Sequence, residues 1–159
     1  MLARVARMAG VGAIVLAGTF AVVATPAQAI TEMRVDLHME VRGDYWTGTQ
    51  STIMTYSAFL PTDTGWGYLV NGGSITVSCY GSDLVYDDFL FTTVHTVDSA
   101  QPLTAGDQGI YLNGIRSEPF GGLFNEDPEG GDEVYCRMTW RDGDGATIAR
   151  TTPQRTGNF

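Results

Sequence analysis

Residues 132–150 read DEVYCRMTWRDGDGATIAR, and the alternation inside this stretch decides the fold class. Val134, Cys136, Met138 and Trp140 take one set of alternate positions, with Tyr135, Arg137, Thr139 and Arg141 between them. A period of two is the pattern of a strand with one buried face, because successive side chains leave the pleat on opposite sides. Asp142-Gly143-Asp144-Gly145 follows, residue types that tolerate the positive φ of a tight turn. Ala146 and Ile148 alternate on the return, so a hairpin is expected. Cys136 shares its side with Trp140. The other cysteine, Cys79, lies in residues 74–80, where Ile75, Val77 and Cys79 alternate with Ser and Thr. Both sulfurs are therefore expected to point inward. A Cys79–Cys136 bridge would join the two layers of the fold at their interior and pin the hairpin to the middle of the chain. Two buried free thiols are the alternative, and an oxidising compartment disfavours them.

The N-terminus points to such a compartment. Arg4 and Arg7 precede an uncharged run from Met8 to Ala24, Thr25-Pro26 breaks the run, and Ala27-Gln28-Ala29 is an A-x-A site. This is the layout of a secretory signal peptide over residues 1–29, which leaves residues 30–159 as the exported domain. An uncleaved membrane anchor is the competing reading, but the apolar run is near the lower limit for a span. No cysteine closely follows the run and no Arg-Arg pair precedes it, so neither a lipid anchor nor a twin-arginine route is indicated.

The chain holds 18 acidic and 9 basic residues, a formal net charge of −9. Two of the basic residues fall in the leader, so the exported part carries 7 − 18 = −11. Such a surface repels nucleic acid and anionic lipid, and no membrane association beyond export is expected. All the basic residues are Arg, which fits GC-rich bacterial coding and excludes lysine-based covalent chemistry.

The rest of the chain repeats the β pattern. Residues 32–42, EMRVDLHMEVR, alternate without an error, with Met33, Val35, Leu37, Met39 and Val41 on one side. Residues 50–60 form a second strand, and Trp66 to Val70 read as a short third that Asn71-Gly72-Gly73 turns into the Cys79 strand. Residues 84–97 are ambiguous: a strand buried on both faces, or one with a bulge, would read this way. Residues 98–107 are expected to be a loop, 110–115 a short strand, and 116–131 a long irregular connection rich in Gly and Pro. No stretch past Ala29 has a persuasive helical period. An all-β, antiparallel β-sandwich of immunoglobulin-like architecture with one disulfide is therefore expected. Family membership is not, because no Trp follows Cys79 at the usual distance and Tyr135 adjoins Cys136 directly.

Candidate chemistry is sparse. Gly72-Gly73-Ser74-Ile75-Thr76 resembles a nucleophile elbow but lacks its closing glycine and enters a strand. His38 and His95 are the only histidines, and His38-Met39-Glu40 lacks the P-C-x-x-C half of a zinc deaminase. A pair of carboxylates for glycoside hydrolysis stays open, because sequence cannot place them. Glu126, Asp127, Glu129 and Asp132 bunch on the Gly-rich connection, which suits extracellular Ca²⁺ as well as it suits a solvated acidic loop. Trp46, Trp66 and Tyr68 flank turns and either stack on sugar rings or fill the ends of the core. Phe120, Leu123 and Phe124 either cap the sandwich or dock a partner. The leading expectation is a secreted, non-catalytic binding protein for an extracellular protein or glycan, with residues 116–133 as its contact surface. A carbohydrate module and a small carboxylate-dependent secreted hydrolase are the rivals.

Overall fold

Period-two alternation becomes strand nearly everywhere it was read. The computed structural model describes residues 29–44, 47–82, 86–125 and 131–159; the expected leader, apart from Ala29, lies outside them. The elements are β1 (Arg34–Gly43), β2 (Gln50–Pro61), α1 (Gly65–Val70), β3 (Ser74–Gly81), β4 (Asp88–His95), β5 (Thr104–Gly106), β6 (Gly109–Pro119), β7 (Asp132–Arg141), β8 (Thr147–Thr151) and β9 (Arg155–Gly157). One sheet has the order β1-β2-β6-β5 and the other β4-β3-β7-β8, with β9 also on β7. Every pairing is antiparallel. Leu37, Met54, Leu60, Ile110 and Leu112 from the first sheet share one apolar core with Ile75, Val77, Val134, Met138 and Trp140 from the second. A sheet with one apolar face must bury it, and two such sheets bury each other.

The C-terminal hairpin forms as its sequence requires. The Asp142 carboxylate accepts the amides of Asp144 and Ala146 at 3.1 and 2.8 Å, and Gly145 takes φ +92°. The disulfide also forms, but it does not join the two sheets. Cys79 and Cys136 face each other directly on β3 and β7, neighbours in one sheet, with their Cα atoms 4.0 Å apart. Alternation says which way a side chain points, not which strand lies beside it, so an inward-facing pair was compatible with either geometry. Thr152 braces the same point: its amide donates to the Cys136 carbonyl and its hydroxyl accepts the Cys136 amide, both at 2.9 Å.

Four other expectations change. Trp66–Val70 is helical, not a strand, because Gly65, Tyr68 and Leu69 are the buried positions, an i, i+3, i+4 set. Asn71-Gly72-Gly73 is the exit of that helix and not a hairpin turn. The Gly72 amide donates to the Leu69 carbonyl at 3.1 Å, the Gly73 amide to that of Tyr68 at 2.9 Å, and Gly72 sits at φ +91°; this is a Schellman motif. The 110–115 strand extends to Gly109–Pro119, which shortens the long connection, and β5 occupies part of the expected 98–107 loop. In residues 84–97, of which 84 and 85 lie outside the described residues, the bulge is the correct alternative. Cys79 pairs with Phe91 and Tyr80 with Phe89, so Leu90 has no opposite residue and both Leu90 and Phe91 point inward.

Candidate functional site at the β4 edge

Among the described residues β4 pairs only with β3, which leaves its other edge without a strand partner. Its bulge turns Phe89 outward, where it stands 60% exposed beside its cross-strand neighbour Tyr80. The Tyr80 ring meets Phe89 edge-on at 5.9 Å and stacks on Tyr135 at 5.4 Å and 21°. Tyr80 alternates with buried Cys79 and Gly81, so this aromatic row lies on the solvent face of the sheet. Tyr86, 81% exposed, precedes β4, and Val94, 54% exposed, continues the apolar line along it. The Tyr135 hydroxyl donates to the Asp87 carboxylate at 2.6 Å. That bond, with some burial, raises the Tyr135 phenol to about 12. The raised value means the bonded, neutral phenol is favoured in the fold. Its contribution is therefore complete below pH ~10 and is lost as pH rises toward about 12. Tyr135 should be among the late-ionising tyrosines in an absorbance titration, and Asp87→Asn should bring its ionisation to lower pH.

Behind the edge, a cleft of about 310 Å³ opens between the sheets, lined by Phe91, Thr93, Val94 and His95 of β4, Tyr56 of β2, Ile115 and Arg116 of β6, and residues 99–101. His95 is buried. Its Nδ1 lies 2.8 Å from the Gln101 carbonyl, which only accepts, so Nδ1 carries a proton; Nε2 pairs with the Tyr56 hydroxyl at 3.1 Å. Burial pushes the Tyr56 phenol up and the Arg116 charge pulls part of that back, so the neutral phenol is favoured. Gly114 makes room for it, since a Cβ there would sit 2.0 Å from the Tyr56 ring. Arg116 stacks over Phe91 at 4.3 Å and pairs with Glu118 at 2.6 Å. The Gln101 side chain bonds both the amide and the carbonyl of Ile115, standing in for a strand partner beyond the end of β5. Tyr56→Phe should leave Nε2 of His95 buried and unpaired, a loss of about 1–3 kcal/mol readable by denaturant unfolding.

The sequence-read site residues separate in space. Trp66 is 61% exposed on α1, whereas Tyr68 is buried against Trp140 at 6.3 Å and offers no platform. Phe124 is core, edge-on to Phe91 at 6.4 Å; Leu123 packs partly against the core, and Phe120 remains exposed. The described part of the 116–133 connection therefore caps the sandwich with Phe124 while Phe120 stays outside. Trp46, Glu126, Asp127 and Glu129 lie outside the described residues, and Asp132 is buried at the start of β7. Among the described residues, no three His, Cys, Asp or Glu side chains gather as a metal site, and no helix is long and apolar enough to cross a membrane. Ser74 follows a helix rather than a strand. It also sits on the outer face of β3 while His95 is buried within, so the elbow and the histidine are on opposite sides of one sheet. His38 is solvent-facing on β1.

The aromatic row escaped sequence reading because it assembles from three strands far apart in the chain. The one local signal was Phe89 and Phe91 falling on one side of an apparently unbroken alternation, which the bulge then separates. The sequence matches no known protein family and no curated protein.

Proposed function

We propose that the exported chain is a non-catalytic binding protein that holds its partner against the outer face of β3, β4 and β7. The row of Phe89, Tyr80 and Tyr135 carries this reading. Large aromatic rings on a rigid solvent face do nothing for the core, and patches of this composition are typical of contact surfaces. Export is supported by the disulfide, a bond of oxidising compartments. An immunoglobulin-like architecture is supported by strand order. Lettered A, B, C, C′, D, E, F and G in chain order, β1 to β8 give A-B-E-D and C′-C-F-G. The disulfide then links C to F within a sheet, where immunoglobulin domains link B to F across the sandwich.

The test is retention on immobilised glycans and an extracellular peptide library, run beside a turnover screen with esters and glycosides. Retention without turnover, lost in Phe89→Ser, is the expected result. Turnover of any substrate, or retention indifferent to Phe89→Ser, would count against the proposal. One observation favours the carbohydrate alternative: exposed Trp66 with Val70 one turn on, also exposed. Tryptophan emission unmoved by a polysaccharide panel would dispose of it.

A further inference from the structure

The aromatic face of β3, β4 and β7 offers a surface; the strand edge beside it adds a mode of binding and a partner chemistry. Open strand edges are normally guarded by charge, shortness or bulges, because their unpaired amides and carbonyls recruit other strands. β1, the edge of the opposite sheet, follows that rule: Arg34, Asp36, His38, Glu40 and Arg42 line it, with ion pairs Arg42–Glu40 and Arg155–Asp36. β5 is guarded by being only three residues long, and β8 is five residues long and carries Arg150. β4 is different. Beyond the Leu90 bulge it runs Phe91-Thr92-Thr93-Val94-His95 with no Asp, Glu, Lys or Arg, and His95 is turned inward and buried.

Both ends of this edge are acidic. Asp87 and Asp88 stand at its start and Asp98 beyond its end, all exposed. Neither β3 nor β4 contains a Lys or an Arg, and the whole chain carries −9. The nearby cation of the cleft, Arg116, is neutralised by Glu118. The cleft behind β4 offers apolar wall from Phe91, Val94, Ala100 and Ile115 between polar groups such as Thr93 and Gln101.

We infer that the open edge of β4 takes up an extended, cationic peptide segment as an additional antiparallel or parallel strand. Its backbone pairs with the free amides and carbonyls of residues 91–95. Alternate apolar side chains face the cleft, and the intervening basic ones meet Asp87, Asp88 and Asp98. Pairing through the backbone provides affinity and the alternate side chains provide selection. A second copy of the chain is disfavoured as occupant, because it would bring the same acids to the edge.

The inference rests on the binding-protein reading, and the experiment separates the two. The probe is an acetylated, amidated octapeptide of alternating Val and Lys, added to the disulfide-bonded protein and followed by residue-resolved amide hydrogen exchange. Slowing of the outward β4 amides by about tenfold or more is expected, weakened by salt and absent with the Val/Glu counterpart. The same peptide N-methylated on alternate residues keeps its side chains and charge but cannot pair, and should not protect. Val94→Lys, at an exposed position, should fold normally and reduce protection by repelling the peptide. Equal protection by the N-methylated peptide, protection confined to another surface, or no protection of β4 at all overturns strand addition. If protection fails while glycans or proteins are still retained through Phe89, the binding-protein reading stands without it. Loss of both removes both.

Discussion

Replacing Cys79 and Cys136 together by alanine is expected to lower stability by about 4 kcal/mol in the chain-entropy account. The bridge closes a loop with a sequence separation of 57 residues, so its main effect is on the unfolded chain, which it keeps from expanding. The folded state should change little. The two positions face each other on paired strands, both are buried, and Thr152 holds the backbone of Cys136 with two further hydrogen bonds. Alanine avoids burying a lone hydroxyl at either position. A domain of this size has roughly 5–15 kcal/mol in total, so the variant should remain folded at room temperature yet melt far earlier. Denaturant unfolding checks both halves of the argument: the midpoint should fall, and the slope should rise because the uncrosslinked chain exposes more surface. An unchanged midpoint would mean that the β3–β7 pairing already persists in the unfolded ensemble.

Trp140→Ala should be of similar size, a loss of about 3–5 kcal/mol for a buried aromatic truncated to a methyl. Trp140 is 1% exposed, lies edge-on to Tyr68 at 6.3 Å, and its ring tip occupies the space left by Gly73, where a Cβ would come within 2.4 Å. It thus connects β7 to α1 and to the turn into β3. Removing it opens a cavity that rigid strands on both sides cannot close. Trp66→Ala is the contrast. That ring is 61% exposed, and its loss should move stability by no more than about 0.5 kcal/mol. Equal effects at the two positions would contradict the burial described.

How far the fold could be read depended on the range of the information. In β2 and β7, Met54, Tyr56 and Ala58, or Val134, Cys136 and Met138, declare their face within a few residues, and those faces are the buried ones. The hairpin at Asp142 was equally local, since its own carboxylate makes the turn. Reading failed where two local signals coincide. Asn71-Gly72-Gly73 serves a hairpin or a helix exit equally well, and only the burial of Tyr68 and Leu69 against the core selects the helix. A bulge shifts alternation by one residue, so Leu90 could not be assigned a face until β3 was placed beside it.

The candidate site was less legible than the fold. Trp66 was recognised and is exposed, but Tyr68 and Phe124 fill the core, because a residue beside a turn can point either way. The row of Phe89, Tyr80 and Tyr135 and the Tyr56–His95 contact each join segments separated by many residues. No local pattern marks them.

From the sequence alone came a β-rich, acidic chain with two inward cysteines, because side-chain direction in a strand repeats every second residue and charge is a simple count. Tertiary structure decided which strands are neighbours: that Cys79 meets Cys136 inside one sheet, that β4 lies at the edge of its sheet, and that Phe124 plugs the interior. Neighbours are chosen by burying every apolar face at once, a condition on the whole chain that no single stretch contains.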